Sequence, residues 1–155
     1  ISLQPLIFGI SQLVTALQIG VFFAIGLYKV RKPGSLLIMA LMMGLIQLMM
    51  SPPMFLSSVL NGVLIELIVL LLFRGYEKDA AVFVAAMLHT PLLLPFNYLY
   101  NRLAKGADSP LAAVADRAPL AAVGMTLAVV AVSALGALIG IKIARELKKS
   151  GVLKK

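Results

Sequence analysis

Cysteine is absent from the sequence, and charged residues are scarce. None of the 155 residues is a cysteine, which excludes disulfide bonds, thiolate catalysis, zinc–thiolate sites and iron–sulfur clusters. Charged residues make up 13% of the chain, against about 25% in an average soluble domain. Because so few charges cannot cover a surface in contact with water, a soluble globular enzyme is excluded, and so is a disordered tail.

Motifs of catalysis are missing as well. The sequence has no Gly-rich loop followed by Lys and Ser or Thr, so the chain itself carries no phosphate loop for ATP hydrolysis. It has neither a His-Glu-x-x-His zinc motif nor a Gly-x-Ser-x-Gly nucleophile motif. The single histidine argues against a metal site, which needs three or four ligands. We therefore expect no enzymatic activity, no metal and no cofactor.

Long apolar runs make up most of what is present. Hydrophobic residues account for 61% of the chain, and the mean hydropathy is +1.03. Five runs are too long, and alternate too little, to be membrane-spanning strands, so they are predicted to be helices. The prediction is an all-α, polytopic membrane helix bundle in a single domain, residues 1–155. Its helices are expected at about 5–28, 35–50, 55–73, 80–101 and 118–143, with a basic tail at 144–155. Ser109 and Pro110 predict a short capped helix in the longest loop.

Lysine and arginine are distributed unequally between the two sides of this bundle. Eleven of them fall in alternate connectors and the tail, and three fall in the other two loops. Because basic residues mark the cytoplasmic side, the C-terminus is predicted inside and the N-terminus outside a prokaryotic cytoplasmic membrane. The net charge of +8 is then a topology signal; contact with membrane lipid is expected and nucleic acid is not. The eleven are Lys29, Arg31, Lys32, Arg74, Lys78, Lys142, Arg145, Lys148, Lys149, Lys154 and Lys155, and the three are Arg102, Lys105 and Arg117.

Glu66 is the only acid inside an apolar run, and His89 is the only histidine. At 1.5 Å per helical residue, Glu66 lies roughly 12 Å from Arg74 and His89 roughly 15 Å from Asp79, which predicts a similar, mid-membrane depth for both. An ionisable group at that depth is energetically expensive and typical of a functional site. We predict a Glu66–His89 pair that holds a cationic or aromatic ligand. The alternative is that both residues only fix helix packing.

The run around residues 80–101 contains two prolines, Pro91 and Pro95, which remove backbone hydrogen bonds and are expected to bend or break the helix. Broken membrane helices often line substrate sites. The following residues, Phe96, Asn97 and Tyr98, are therefore expected at an outer mouth where rings could stack on a planar ligand. The alternative for the tyrosine is an interfacial aromatic belt.

Two buried amides and two small-residue stripes complete the list of candidates. Gln47 and Asn61 are expected to hydrogen-bond either a ligand or a neighbouring helix. Small side chains at four-residue spacing permit close approach of helices, within the chain or to a partner. They are Ala16, Gly20 and Ala24 near the N-terminus, and Gly136, Gly140 and Ala144 near the C-terminus.

Four short motifs occur in an order that resembles a known family. They are Arg31-Lys32-Pro33-Gly34, Ser51-Pro52-Pro53, Asn61-Gly62-Val63-Leu64-Ile65-Glu66 and Leu147-Lys148-Lys149-Ser150-Gly151-Val152-Leu153. Together they resemble the substrate-capture (S) component of energy-coupling-factor (ECF) vitamin transporters. The likeness is greatest to the YkoE-type component, which is associated with thiamine or its hydroxymethylpyrimidine precursor.

The resemblance implies a fold, a function and partners. S components have six helices, so five spans correspond to that fold without its first helix. The implied function is capture of a small vitamin, which a coupling transmembrane subunit and two ATPase subunits then drive inward. In the implied site Glu66 and His89 supply charge, the amides of Asn61, Asn97 and Gln47 form hydrogen bonds, and Tyr98 and Phe96 stack on the ligand. The alternative function is a structural or assembly subunit of a larger membrane complex with no ligand site of its own.

The predicted orientation is testable by thiol labelling, since the chain has no cysteine of its own. A cysteine introduced at Ser150 should react with a membrane-impermeant reagent only from the cytoplasmic side, and one at Ser109 only from outside. The reverse pattern would contradict the orientation that the eleven-to-three charge distribution predicts.

Overall fold

The computed structural model describes residues 4–105 and 116–153. This part of the chain is all-helical, which confirms the predicted all-α membrane bundle. Four of the described helices are long and apolar enough to cross a membrane, and the fifth is a shorter apolar helix of 14 residues. The helices are α1 (Gln4–Lys29), α2 (Ser35–Leu48), α3 (Pro52–Phe73), α4 (Asp79–Lys105) and α5 (Pro119–Lys149).

Proline and glycine explain several of the helix ends. α3 and α5 each begin with a proline, Pro52 and Pro119, whose missing N–H is not needed in the first turn. α2 begins directly after Gly34, which has φ +90°, a left-handed conformation that favours glycine. α5 ends just before Gly151, also left-handed at φ +78°, and the Val152 N–H bonds back to the Leu147 carbonyl.

Two predicted helix ends are wrong by more than one helical turn. α5 continues to Lys149, so the first half of the predicted basic tail, residues 144–149, is helical. The Lys, Arg, Glu and Leu side chains of this stretch are strong helix formers, and cations are favourable at a helix C-terminus. α4 likewise continues to Lys105, four residues beyond its predicted end. The short helix predicted at Ser109 and Pro110 lies outside the described residues.

α1 and α5 pack against each other through their small residues, the most extensive helix contact in the described part of the chain. A Cβ atom added at Gly136 would lie 2.7 Å from the Leu17 carbonyl oxygen, and one at Gly140 would lie 2.7 Å from the Val21 carbonyl oxygen. The two stripes therefore face each other and are buried within the bundle. The close approach expected from their spacing is confirmed, and its partner is the other stripe.

α4 contacts α1, α3 and α5, whereas α2 packs mainly on α3. At one end of the bundle, the Asp79 carboxylate at the start of α4 binds Arg31 (2.6 Å) and Arg145 (2.5 Å). Arg31 follows α1 and Arg145 belongs to the last turns of α5, so the connectors after α1 and α3 and the end of α5 meet there. We call this the basic end. Its formation agrees with the predicted alternation of the connectors, and its cytoplasmic location stays a prediction.

The α1–α5 contact predicts that adding one methyl group to α5 will be harmful at one glycine and harmless at another. Gly136→Ala places a Cβ against the α1 backbone and should destabilise the protein by about 1–3 kcal/mol. Gly124→Ala, in the same helix, meets no atom within 4 Å and should leave stability unchanged or slightly raised. Unfolding of both variants in the same detergent measures the difference. Equal stability of the two would contradict the contact.

Candidate functional site

Glu66 is buried in α3, and both of its carboxyl oxygens accept hydrogen bonds. The Gly34 backbone N–H donates to Oε1 over 2.6 Å, and the Tyr76 hydroxyl donates to Oε2 over 2.9 Å. Gly34 is the residue before α2 and Tyr76 lies in the connector between α3 and α4. Glu66 therefore ties α3 to both connectors at the basic end; we call these three residues the Glu66 clasp. Burial of Tyr76, together with the adjacent Glu66, raises the pKa of its phenol above the ordinary value, so Tyr76 remains a donor.

The predicted Glu66–His89 pair is not formed, because the described hydrogen bonds of Glu66 go to Gly34 and Tyr76. The residue that meets His89 is Asn61, five positions before Glu66 on α3, so the prediction of equal depth is wrong by roughly 7.5 Å along the helix axis. Residue spacing from Arg74 and from Asp79 gives similar depths only where α3 and α4 begin at the same level, and the two helices are offset along their axes. The free N–H at the start of α2 also provides Glu66 with another partner.

Asn61 and His89 meet at the centre of the bundle, where both are fully buried. The Asn61 amide donates from Nδ2 to the His89 carbonyl oxygen over 2.7 Å and lies 3.5 Å from His89 Nδ1. On its other side the imidazole stacks on Phe23 of α1, with ring centroids 4.2 Å apart and an interplanar angle of 27°. Asn61 and His89 thus join α3, α4 and α1 at one level.

Five buried polar side chains on α3, α4 and α5, near Asn61 and His89 in sequence or on neighbouring helices, each have an atom without a hydrogen-bond partner among the described residues. Ser58 precedes Asn61 by one helical turn, Thr90 adjoins His89, and Ser133 of α5 lies against Gly20, one turn of α1 from Phe23. Each of the five polar residues has one side-chain atom that is buried and unpaired, and leaving such an atom unpaired costs about 1–3 kcal/mol. We call them the mid-bundle polar set: Ser58 (Oγ), Asn61 (Oδ1), His89 (Nε2), Thr90 (Oγ1) and Ser133 (Oγ).

Pro91 and Pro95 lie inside α4, directly after His89 and Thr90. α4 is nevertheless a single continuous helix, so the predicted break is wrong. The two prolines still cannot donate hydrogen bonds to the carbonyls four residues earlier, at Met87 and Pro91. This turn of α4, next to the polar set, is therefore held by fewer backbone hydrogen bonds than an ordinary helical turn.

The other predicted site residues lie away from the polar set, toward the end opposite the basic end. Phe96, Asn97 and Tyr98 follow His89 by seven to nine residues, or roughly 10–14 Å along α4, and all three are half-buried. Tyr98 accepts a hydrogen bond from Arg102, whose guanidinium also lies 5.8 Å from the tyrosine ring centroid. Gln47 is half-buried in the last turn of α2, where its backbone carbonyl accepts hydrogen bonds from the backbone N–H groups of Met50 and Ser51.

The charge of the candidate site therefore differs from the prediction. The carboxyl group expected in it belongs to the clasp, and the polar set offers an amide, an imidazole and three hydroxyl groups. In the described ranges, 4–105 and 116–153, no three histidine or acidic side chains converge in a way that could hold a metal ion. The amide, imidazole and hydroxyl groups of the polar set are suited to hydrogen bonding with an uncharged polar molecule.

Comparison with known families decides what class of protein carries this arrangement. A family model described as "hypothetical bacterial integral membrane protein (Trep_Strep)" matches residues 1–149. The chain belongs to the Trep_Strep family. It is thus a bacterial integral membrane protein, in agreement with the helices of the bundle. No curated protein and no solved structure matches it.

Sequence reasoning missed three members of the polar set of this Trep_Strep protein: Ser58, Thr90 and Ser133. A hydroxyl in a helix ordinarily bonds to the carbonyl four residues earlier, as Thr15, Ser57 and Thr126 do here. The available signal was position: Ser58 is three residues from Asn61 and so on the same face of α3, and Thr90 is next to the only histidine.

The Glu66 clasp predicts a loss of stability when its tyrosine donor is removed. Tyr76→Phe deletes the hydroxyl that donates to Glu66 and should destabilise the protein by about 1–3 kcal/mol, the usual cost of leaving a buried acceptor without its donor. Tyr100→Phe, at an exposed position on α4, is the matched control and should change stability by less than about 0.5 kcal/mol. Thermal unfolding in detergent measures both, and similar values for the two variants would contradict the clasp.

Proposed function

We propose that this Trep_Strep protein is the substrate-capture component of an ECF-type importer for a small vitamin or vitamin precursor. The single observation that carries the proposal is the mid-bundle polar set. It supplies five buried, unpaired hydrogen-bonding atoms from α3, α4 and α5, at the depth where a membrane carrier binds its substrate. The four motifs that resemble S components support the same function.

Unpaired atoms favour a ligand site over helix glue. Polar residues that only join membrane helices do so by pairing with one another, as Glu66, Gly34 and Tyr76 do. Asn61 is half-paired: its Nδ2 donates to His89, while its Oδ1 has no partner. A ligand that pairs with these atoms would supply the hydrogen bonds that they do not make within the bundle, and this gain is a source of affinity.

The chemistry of the polar set favours a neutral nitrogen heterocycle. With both Glu66 oxygens engaged in the clasp, a cationic thiazolium ring has no described carboxylate to meet at this level. Asn61 Oδ1 can accept from an amino group, the hydroxyls of Ser58 and Thr90 can donate to ring nitrogens or accept, and His89 Nε2 can do either according to its tautomer. Of the two substrates that the resemblance implies, the hydroxymethylpyrimidine type therefore fits better than thiamine.

Entry of the ligand from the end opposite the basic end is part of the proposal. Gln47, Asn97 and Tyr98 lie toward that end, and the predicted orientation makes it the outer one. The polar set is buried, so α4 would have to move for a ligand to reach it. Because Pro91 and Pro95 remove backbone hydrogen bonds from α4, this helix bends more easily than a helix without internal prolines. Because the sequence contains no phosphate loop, ATP hydrolysis is assigned to separate subunits, which act through a coupling membrane subunit.

The proposal predicts opposite outcomes for affinity and stability at one serine. Ser58→Ala removes a buried, unpaired hydroxyl and should leave stability unchanged or raise it. The same change should weaken binding of radiolabelled hydroxymethylpyrimidine to the purified protein by roughly 2- to 10-fold, the value of one hydrogen bond. Ser57→Ala is the matched control, since Ser57 Oγ bonds to the Pro53 carbonyl of its own helix; it should not change binding.

Two results would contradict the proposal. If neither hydroxymethylpyrimidine nor thiamine binds the wild-type protein, the proposal is contradicted, and a lower unfolding temperature of Ser58→Ala would then favour the structural-subunit alternative. If thiamine binds and the pyrimidine does not, capture stands but the ligand class is wrong. Uptake into vesicles that contain the coupling subunit and ATPases then tests transport itself.

A further inference from the structure

A groove of about 580 Å³ runs between α4 and α5 at the basic end. Its rim carries two cationic side chains, Lys142 and Arg145, and its wall is apolar, formed by Phe83, Leu138 and Ile141. Cationic groups above an apolar wall match a molecule with a negative head and a hydrocarbon tail.

The groove lies at the depth of lipid headgroups. From Pro119 to Ile141, α5 has no charged residue, and these 23 positions span roughly 34 Å, slightly more than the ~30 Å hydrocarbon core of a bilayer. Lys142 is the first charge after this stretch. The apolar wall below it therefore faces acyl chains, and its ammonium group reaches the level of the phosphates.

The charges at the rim are not balanced. Asp79, the only acid that lines the groove, already binds Arg31 and Arg145 with its two carboxylate oxygens. Lys142 has no ion pair or hydrogen bond among the described residues, whereas Lys149 of the same helix pairs with Glu146 at 3.4 Å. The groove itself therefore holds two cations, Lys142 and Arg145, against the one carboxylate of Asp79. This leaves an excess of one positive charge at the interface, where anionic headgroups are attracted.

We propose that this groove binds one anionic phospholipid. Its phosphate contacts Lys142 and Arg145, and the beginning of one acyl chain lies along Phe83 and Leu138. A soluble acidic partner fits less well, because the apolar wall lies at hydrocarbon depth. The inference rests on membrane embedding alone and is independent of the proposed transport function.

The test compares lipid retention in matched variants. The full chain is placed in nanodiscs of equal parts phosphatidylglycerol and phosphatidylcholine, extracted, and examined by native mass spectrometry for bound lipid. Wild type should retain phosphatidylglycerol in preference to phosphatidylcholine. Lys142→Gln should lower that preference about fivefold, the usual effect of one lysine at an anionic surface. Lys149→Gln, with the same charge change outside the groove, should not change it, and Lys142→Arg should keep it.

Several outcomes would overturn the proposal. Equal retention of the two lipids by wild type, or an equal loss in Lys142→Gln and Lys149→Gln, would indicate only diffuse attraction. Displacement of the lipid by millimolar inorganic phosphate would indicate a plain anion site, because phosphate has no tail to use the apolar wall. Shielding of Lys142 from amine labelling only when other subunits are co-expressed would indicate a protein partner instead.

Discussion

The backbone contact between α1 and α5 is the constraint on which the rest of the bundle depends. Lipid provides no hydrophobic drive for helices to associate, so they are held by close packing and by polar contacts. Here the glycines of α5 let the α1 backbone approach to a distance at which a single methyl group would collide. Closing α1 on α5 encloses one side of α4, buries the Phe23–His89 stack, and brings Arg145 to Asp79. The Phe23–His89 stack and the Arg145–Asp79 ion pair therefore both depend on the position of α1 and α5.

The bundle treats its buried polar groups in two different ways. At the basic end they are paired: Glu66 has two donors, and Asp79 has two arginines. At the centre an amide, an imidazole and three hydroxyls each keep one unpaired atom. The hydrogen bonds of Glu66 and the ion pairs of Asp79 at the basic end show that this chain can provide partners for buried polar groups. Under the proposed function, the unpaired atoms at the centre are the part of the molecule in which stability and ligand binding have separate requirements.

The helices were predictable from the sequence because lipid permits few alternatives, and proline and glycine mark several ends. The spacing of Gly136 and Gly140 predicted close packing, although not which helix they pack against. The partners of Glu66 were not predictable, because one is the backbone N–H of Gly34, which no side-chain pattern reveals. Ser58 was missed for a related reason: a helical hydroxyl can bond within its own helix, as that of Ser57 does, and the sequence does not distinguish the two cases.

The pairing of α1 with α5 also constrains the order in which this membrane protein acquires its structure. α1 is synthesised well before α5, and its small-residue face has no partner until the later helix enters the bilayer. During that interval Gly20 and its neighbours face lipid, insertion machinery or another chain. Contacts so distant in sequence form late and slowly. The earlier α2–α3 pair, joined by a short turn, can assemble first, so the enclosed centre of the bundle is completed only by the last of the described helices.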